Sequence, residues 1–246
     1  MKHIVSSPHK YLLLVSLLAL LSGCASLQQT TDTAASLEPD ITPVIDIYDP
    51  FEEFNRGVYR FNATFDELVF LPVVDTYETI TPDFVEAGVS NFFSNIYEVN
   101  NLTNAVLQLK PKSSLTTTKR ILINSTIGVV GFFDVATKLN ILEQHEDFGQ
   151  TLGHYGVGAG PYIVLPILGP SNLRDTTGMV ADLLTFNSID LLNLSEHQKR
   201  ELAFTLTNSI DRRHQVKFRY YQTGSPFEYE LVRLLYNKKR DLDIAR

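Results

Sequence analysis

The chain has 246 residues, with 28 acidic against 21 basic and a net charge of −7. That balance excludes a nucleic-acid binder working through a basic surface, and it excludes adhesion to anionic lipid by charge, so any membrane contact must be apolar. A single cysteine excludes an internal disulfide, and although 15 Phe and 11 Tyr are many, no Trp is present to form an interfacial belt.

The first element is a leader. Lys2 and Lys10 precede Tyr11 to Leu21, an apolar run broken only by Ser16, and the small residues Ser22 and Gly23 follow. This run is shorter than the roughly 20 residues a spanning helix needs, so residues 1–23 read as a signal peptide. Leu21-Ser22-Gly23-Cys24 resembles the bacterial lipobox, in which the cysteine thiol is acylated, the leader is cut before it and the new amino group is acylated as well. Cys24 is then a membrane tether. Each buried methylene adds about 0.8 kcal/mol, and anchors of more than one chain hold stably. Ala25 after the cysteine, in place of an aspartate, resembles an outer-membrane address. Loss of the leader removes Lys2 and Lys10 and leaves 223 residues, 19 basic against 28 acidic, a size suited to one domain.

Residues 24–48 read as the acylated cysteine and a flexible Thr-, Ser- and Gln-rich tether with Pro39 and Pro43. From Asp49 the character changes. Phe54, Val58, Phe61, Phe65 and Leu68 recur at 4, 3, 4, 3 spacing, which predicts one helix ending before Pro72. After Pro82, Val85, Val89, Phe92, Ile96, Val99 and Val106 predict a long helix, or two broken near Asn100-Asn101. A third helix is expected from Leu115 to Ile127, and Ile127 to Phe133 (IGVVGFF) is either deeply buried or facing lipid. Thr151 to Leu168 favours a hairpin or irregular loop over a helix. Helices follow at Ser171 to Leu184 and at Glu196 to His214, the latter capped by Ser195 with Leu202, Leu206 and Ile210 on one face. A last helix is expected with Ser225 as cap, Pro226 in the first position and Phe227, Leu231 and Leu234 as the inner stripe. The fold class is mainly α with a small β element.

Catalytic patterns are missing. No Gly-x-Ser-x-Gly elbow occurs, His197-Gln198-Lys199 lacks the aspartate of a phospholipase D motif, and His145, His154, His197 and His214 show no metal-ligand spacing. His145-Glu146-Asp147 reads as a charged loop between elements. Gly156, Gly158 and Gly160 do not form a phosphate loop, because Pro161 and a β-like run follow where a helix N-terminus would have to be. They make either a tight turn or a hinge. The sequence therefore points to no enzyme, no cofactor, no metal and no nucleic acid.

Two stretches carry a family resemblance: DPFEEFNRGVYRFN, Asp49 to Asn62, and TLGHYGVGAGPYIVLPILGPSNLRD, Thr151 to Asp175. They resemble the signature segments of the VacJ/MlaA family of outer-membrane lipoproteins, with Ser90-Asn91-Phe92 and Gly131 to Ala136 as lesser landmarks, and the resemblance covers Asp49 to about Leu242 of one domain at 49–246. The matching positions are Asp49, Pro50, Phe54, Asn55, Arg56, Phe61, Asn62, Gly153, His154, Tyr155, Pro161, Arg174 and Asp175. The resemblance implies a helical ring in the inner, periplasmic leaflet of the outer membrane around an amphipathic channel. Phospholipids that stray to the outer leaflet would leave through it to a soluble periplasmic carrier, beside a trimeric porin, which maintains lipid asymmetry. The alternative is a structural lipoprotein that only scaffolds the porin.

Overall fold

The computed structural model describes residues 47–193 and 197–246. The leader at 1–23, Cys24, nearly all of the tether at 24–48 and the Ser195 cap lie outside the described residues.

Helix α1 (Glu52–Phe65) starts with Glu52 and Glu53, acidic residues that suit the positive end of a helix dipole. The helical path does not stop before Pro72. It widens into a π-helical segment (Asp66–Phe70) and continues as α2 (Leu71–Ile80). Pro72 offers no N–H and its ring crowds the carbonyl four residues back, and the wider turn beside it relieves both problems. Arg213 pins this segment from outside through both Asp66 oxygens.

Helix α3 (Asp83–Leu107) runs unbroken through Asn100-Asn101. The Asn104 side chain donates back to the Asn100 carbonyl (3.1 Å) and so stays within the ladder. Helix α4 (Pro111–Thr126) begins before Leu115, because proline in a first position leaves no orphan N–H. The IGVVGFF segment is not deeply buried: Ile127, Val129 and Val130 are exposed. Val129 and Val130 both have positive φ, 55° and 56°, which is strained for β-branched residues. Hydrogen bonds from Val130 and Gly131 to the Ser125 and Asn124 carbonyls hold the turn (3.1 and 2.8 Å).

Short helices α5 (Val135–Lys138) and α6 (Phe148–His154) are capped by Asp134 and Asp147, which accept from the Thr137 and Gln150 amides (3.0 and 2.8 Å). Thr151 to His154 are thus helical, and the expected hairpin lies further on. It pairs β1 (Tyr162–Leu165) antiparallel with β2 (Gly169–Asn172), Tyr162 opposite Asn172 and Leu165 opposite Gly169. Helix α7 (Leu173–Ile189) is capped by Asn172 and runs five residues past Leu184. Helix α8 spans Gln198–Gln215. Helix α9 (Glu228–Ala245) begins later than Ser225-Pro226 suggests. Ser225 Oγ accepts the Phe227 amide (3.2 Å) in the preceding turn, so Phe227 takes the cap position.

Val58 of the α1 stripe and Ile96 of the α3 stripe are buried, but many other apolar side chains do not point where a water-soluble fold would put them. A small core holds Val58, Tyr59, Tyr162, Val164 and Tyr229. Phe54 (65 % exposed), Phe61 (50 %) and Leu68 face outward, as do Leu202 and Leu206 of α8 and Phe227 and Leu231 of α9. The interior is instead rich in polar groups: Asn55, Glu98, Asn104, Arg120, Asp175 and Glu228 are buried. Phe61 stacks on Phe65 at 5.9 Å but packs into no core. Phe61→Ala is therefore expected to lower stability in detergent by no more than about 1 kcal/mol, where a core Phe would cost about 3–5 kcal/mol, as thermal unfolding would read. A core-sized loss would contradict the outward assignment.

Candidate functional site

Five of the signature residues, Asp49, Asn55, Asn62, Arg174 and Asp175, meet around the hairpin. Asn55 and Asn62 lie seven residues apart on one face of α1, and each side chain grips β1 or its tip as a neighbouring strand would. Asn55 donates to the Tyr162 carbonyl (3.0 Å) and accepts from the Val164 amide (2.9 Å). Asn62 donates to the Leu165 carbonyl (2.9 Å) and accepts from the Ile167 amide (2.7 Å). The second grip fixes a hairpin tip in which Ile167 has a φ of 67° and Gly169 one of 83°. A side-chain amide carries both donor and acceptor, which is what a strand edge demands.

Beneath the hairpin two carboxylates collect arginines. Asp49 accepts from Asn55 (2.8 Å), Tyr229 (2.6 Å) and Arg233 (2.8 Å), joining the start of the domain to α9. Asp175, in the first turn of α7, accepts from Asn172, Arg174, Tyr236 and Arg240 at 2.8 to 2.9 Å. Arg240 also holds Asp147 with two bonds, 2.6 and 2.8 Å, so one guanidinium ties α9 to both α6 and α7. Gly178 and Gly149 let α7 and α6 approach closely, for a Cβ on Gly178 would sit 2.3 Å from the Gly149 nitrogen.

A second polar seam follows α3. Asn91, Asn95, Glu98, Asn101, Asn104 and Gln108 recur at 4, 3, 3, 3, 4 spacing, so a helical period of polar residues runs along the helix. Glu98, 0 % exposed, pairs with Arg120 of α4, itself 1 % exposed, and Arg120 also reaches Asp134 (3.2 Å). Asn104 donates to Asp182 (3.0 Å) and accepts from Thr151 (2.9 Å), and Gln108 donates to Glu146 (2.9 Å). Among the described residues, Asn95 and Gln108 on this seam and Gln150 of α6 each keep a buried side-chain carbonyl oxygen without a hydrogen-bond partner.

The remaining signature positions separate from this cluster. Pro50 and Phe54 are exposed, and Arg56 pairs with Glu52 and Glu230 and lies 4.3 Å over the Tyr229 ring. Gly153 faces Ile244 of α9, His154 is exposed, and exposed Tyr155 donates to the Leu107 carbonyl (2.6 Å). Gly156 and Gly158 have open space around them. Gly156 and Gly160 need their φ of 85° and 69°, and the loop ends are tied to α7 by amides of Leu173 and Arg174 donating to Pro161 and Ala159 (both 3.1 Å). Glu146 and Asp147 bind Lys110 and Arg240, and His145 is exposed, so that trio is a structural loop. Among the described residues no group of three or more His, Cys, Asp or Glu could hold a metal ion.

The α9 half of this frame is not among the signature positions, whereas Asp49, Arg174 and Asp175 are. Tyr229, Arg233, Tyr236 and Arg240 stand at 4, 3, 4 spacing, the same rhythm as an apolar stripe, and that periodicity was the available signal.

Residues 47–243 match the family model described as MlaA lipoprotein. The chain belongs to the MlaA lipoprotein family. It is 36 % identical over 202 residues to the uncharacterized protein RP093 of Rickettsia prowazekii (strain Madrid E), covering 81 % of this chain and 79 % of the relative. It is 41 % identical over 139 residues to the intermembrane phospholipid transport system lipoprotein MlaA of Escherichia coli (strain K12), covering 54 % and 55 % of the two chains. The fold matches a solved structure described as the structural basis for maintenance of bacterial outer membrane lipid asymmetry, with a TM-score of 0.65 and 30 % identity. That match covers 80 % of this chain and 98 % of the solved one. The family thus shares the mainly helical fold with one small hairpin.

Proposed function

We propose that this member of the MlaA family is a non-catalytic phospholipid conduit of the outer membrane. It takes phospholipids that have strayed to the outer leaflet and releases them to a soluble periplasmic carrier, which keeps the membrane asymmetric. The observation that carries this reading is the inversion of the fold, with asparagines, arginines and carboxylates inside and large apolar side chains outside. Water penalises such an exterior, whereas acyl chains do not. A headgroup passing through protein needs polar partners, because burying one without them costs several kcal/mol.

In this reading the domain lies in the periplasmic leaflet, held by acylated Cys24 and seated beside a trimeric porin. Among the described residues no helix is long and apolar enough to cross a membrane, and a chain lying in one leaflet requires none. The loop at Gly156, Gly158 and Gly160 borders the lipid path in an amphipathic channel and moves at its tip, where open space surrounds Gly156 and Gly158.

The rival is a lipoprotein that only scaffolds a porin, and the loop separates the two. Gly158 lies in open space and, unlike Gly156 and Gly160, does not adopt a positive φ, so Gly158→Trp should fold normally and place a bulky ring at the loop. Cells carrying it are expected to accumulate phospholipid in the outer leaflet while the porin is retained. Normal outer-leaflet phospholipid with this variant would favour the scaffold.

A further inference from the structure

We propose that the groove between α1 and the start of α9 binds the headgroup of a zwitterionic phospholipid, with Arg60 on the phosphodiester and the opposite wall on the amine. This rests on the phospholipid reading above and names the headgroup class that the chain recognises. The groove has a volume of about 330 Å³. That is at the small end of ligand sites, roughly 300–1,000 Å³, and matches a headgroup better than a whole lipid.

Its two guanidiniums differ. Arg56 is committed to Glu52 and Glu230 and lies over Tyr229. Arg60, one turn further along α1, has no ion pair and no side-chain hydrogen bond among the described residues, although it lines the same groove. The other arginines of α1 and α9, Arg56, Arg233 and Arg240, all hold carboxylates. An unpaired guanidinium in a concave wall is suited to a phosphate, which it can grip with two parallel N–H donors.

Glu228 supplies the opposite charge. Its carboxylate is buried and accepts from Tyr59 (2.8 Å), the Tyr221 amide (2.6 Å) and Thr223 Oγ1 (2.7 Å), a donor set that keeps it ionised. Tyr59 stands edge to face with Tyr221 and Tyr229, 5.7 Å from each, and because Arg56 and Arg233 already cover Tyr229, exposed Tyr221 is the ring left open to the groove. Aromatic faces beside a carboxylate attract an ammonium group. The groove therefore carries both signs, which matches a headgroup with phosphate and amine together. An anionic headgroup or inorganic phosphate satisfies only the Arg60 side and meets repulsion from Glu228. Exposed Phe227, next to Pro226 of the groove wall, gives the acyl chains an apolar exit.

The chain lacks tryptophan, so Tyr221→Trp places a single reporter in the groove. Full-length protein in neutral detergent is titrated with dihexanoyl phosphatidylethanolamine, dihexanoyl phosphatidylglycerol and inorganic phosphate. A saturable emission change is expected with the first, and at least about tenfold weaker binding with the other two. Adding Arg60→Gln should raise Kd for the phosphatidylethanolamine at least about tenfold, the size of a lost charged hydrogen bond, while Arg60→Lys, which keeps the charge but not the two-donor fork, should fall between the parent and Arg60→Gln. Arg60 is exposed and unpaired, so neither variant should shift the thermal midpoint. If the reporter itself disturbs folding, calorimetric titration of the tryptophan-free parent and Arg60→Gln reads the same difference. Equal Kd for parent and Arg60→Gln would overturn the site. Phosphatidylglycerol bound as tightly would overturn the zwitterionic class, and inorganic phosphate bound as tightly would make it a free-phosphate site. Each of these failures leaves the transport reading standing, because that reading fails only if removing the chain leaves outer-leaflet phospholipid unchanged.

Discussion

Arg240→Gln is expected to destabilise the domain by about 3–5 kcal/mol, the cost of breaking a buried ion-pair network by removing its shared cation. Asp147 and Asp175 both depend on this guanidinium, and Asp175 is 6 % exposed. Burial pushes both carboxyls up, but hydrogen bonds from Arg240, joined at Asp175 by Arg174, overcome it and hold both below the usual carboxylate range. A depressed folded pKa contributes stability above the unfolded value, about 3.9 for Asp, and loses it as pH falls through the folded value. The deficit of Arg240→Gln should therefore be full at pH 7 and narrow in acid. Thermal unfolding in detergent checks it, with a midpoint lower by roughly 6–20 °C at neutral pH. A midpoint within a degree or two of the parent would show that the α6, α7 and α9 junction does not depend on the charge.

Arg120→Met should cost a similar amount, about 3–5 kcal/mol, through Glu98. Glu98 is fully buried, and burial already holds its pKa above the usual range even with Arg120 beside it. Without the guanidinium its pKa rises further. A raised carboxyl pKa means the penalty grows as pH rises from the unfolded value, about 4.3 for Glu, to the folded one and is fully relieved only below the unfolded value, so the variant should regain stability on acidification. Replacing both partners, Arg120→Met with Glu98→Leu, should recover most of the loss, since an apolar pair of similar size needs no desolvated charge. Failure of the double variant to recover anything would place the effect on the Asp134 and Thr137 contacts of Arg120 instead.

These two arginines show what was legible in the sequence and what was not. Periodicity located most helices, and the glycines with β-branched residues located the hairpin, because both signals are local. The signature motifs also marked Asn55, Asn62, Arg174 and Asp175, which the fold gathers at one junction. The facing of the helices was not legible by the usual rule. Phe227, Leu231 and Leu234 look like the inner stripe of α9, but Tyr229, Arg233, Tyr236 and Arg240 form the side that packs inward. Period alone says which residues share a face and does not say which face is inside. Pairings such as Arg240 with Asp147, 93 residues apart, leave no local trace at all. Pro72 misled for a different reason, since a π-helical turn lets a proline sit within a continuing helical path.

The central claim is that this inverted domain moves phospholipid out of the outer leaflet, and the amount of phospholipid in that leaflet reads it directly. Cells in which the chain is removed are expected to show raised outer-leaflet phospholipid, and restoring the parent chain should return it to the starting level. Removal that leaves outer-leaflet phospholipid unchanged would contradict the claim.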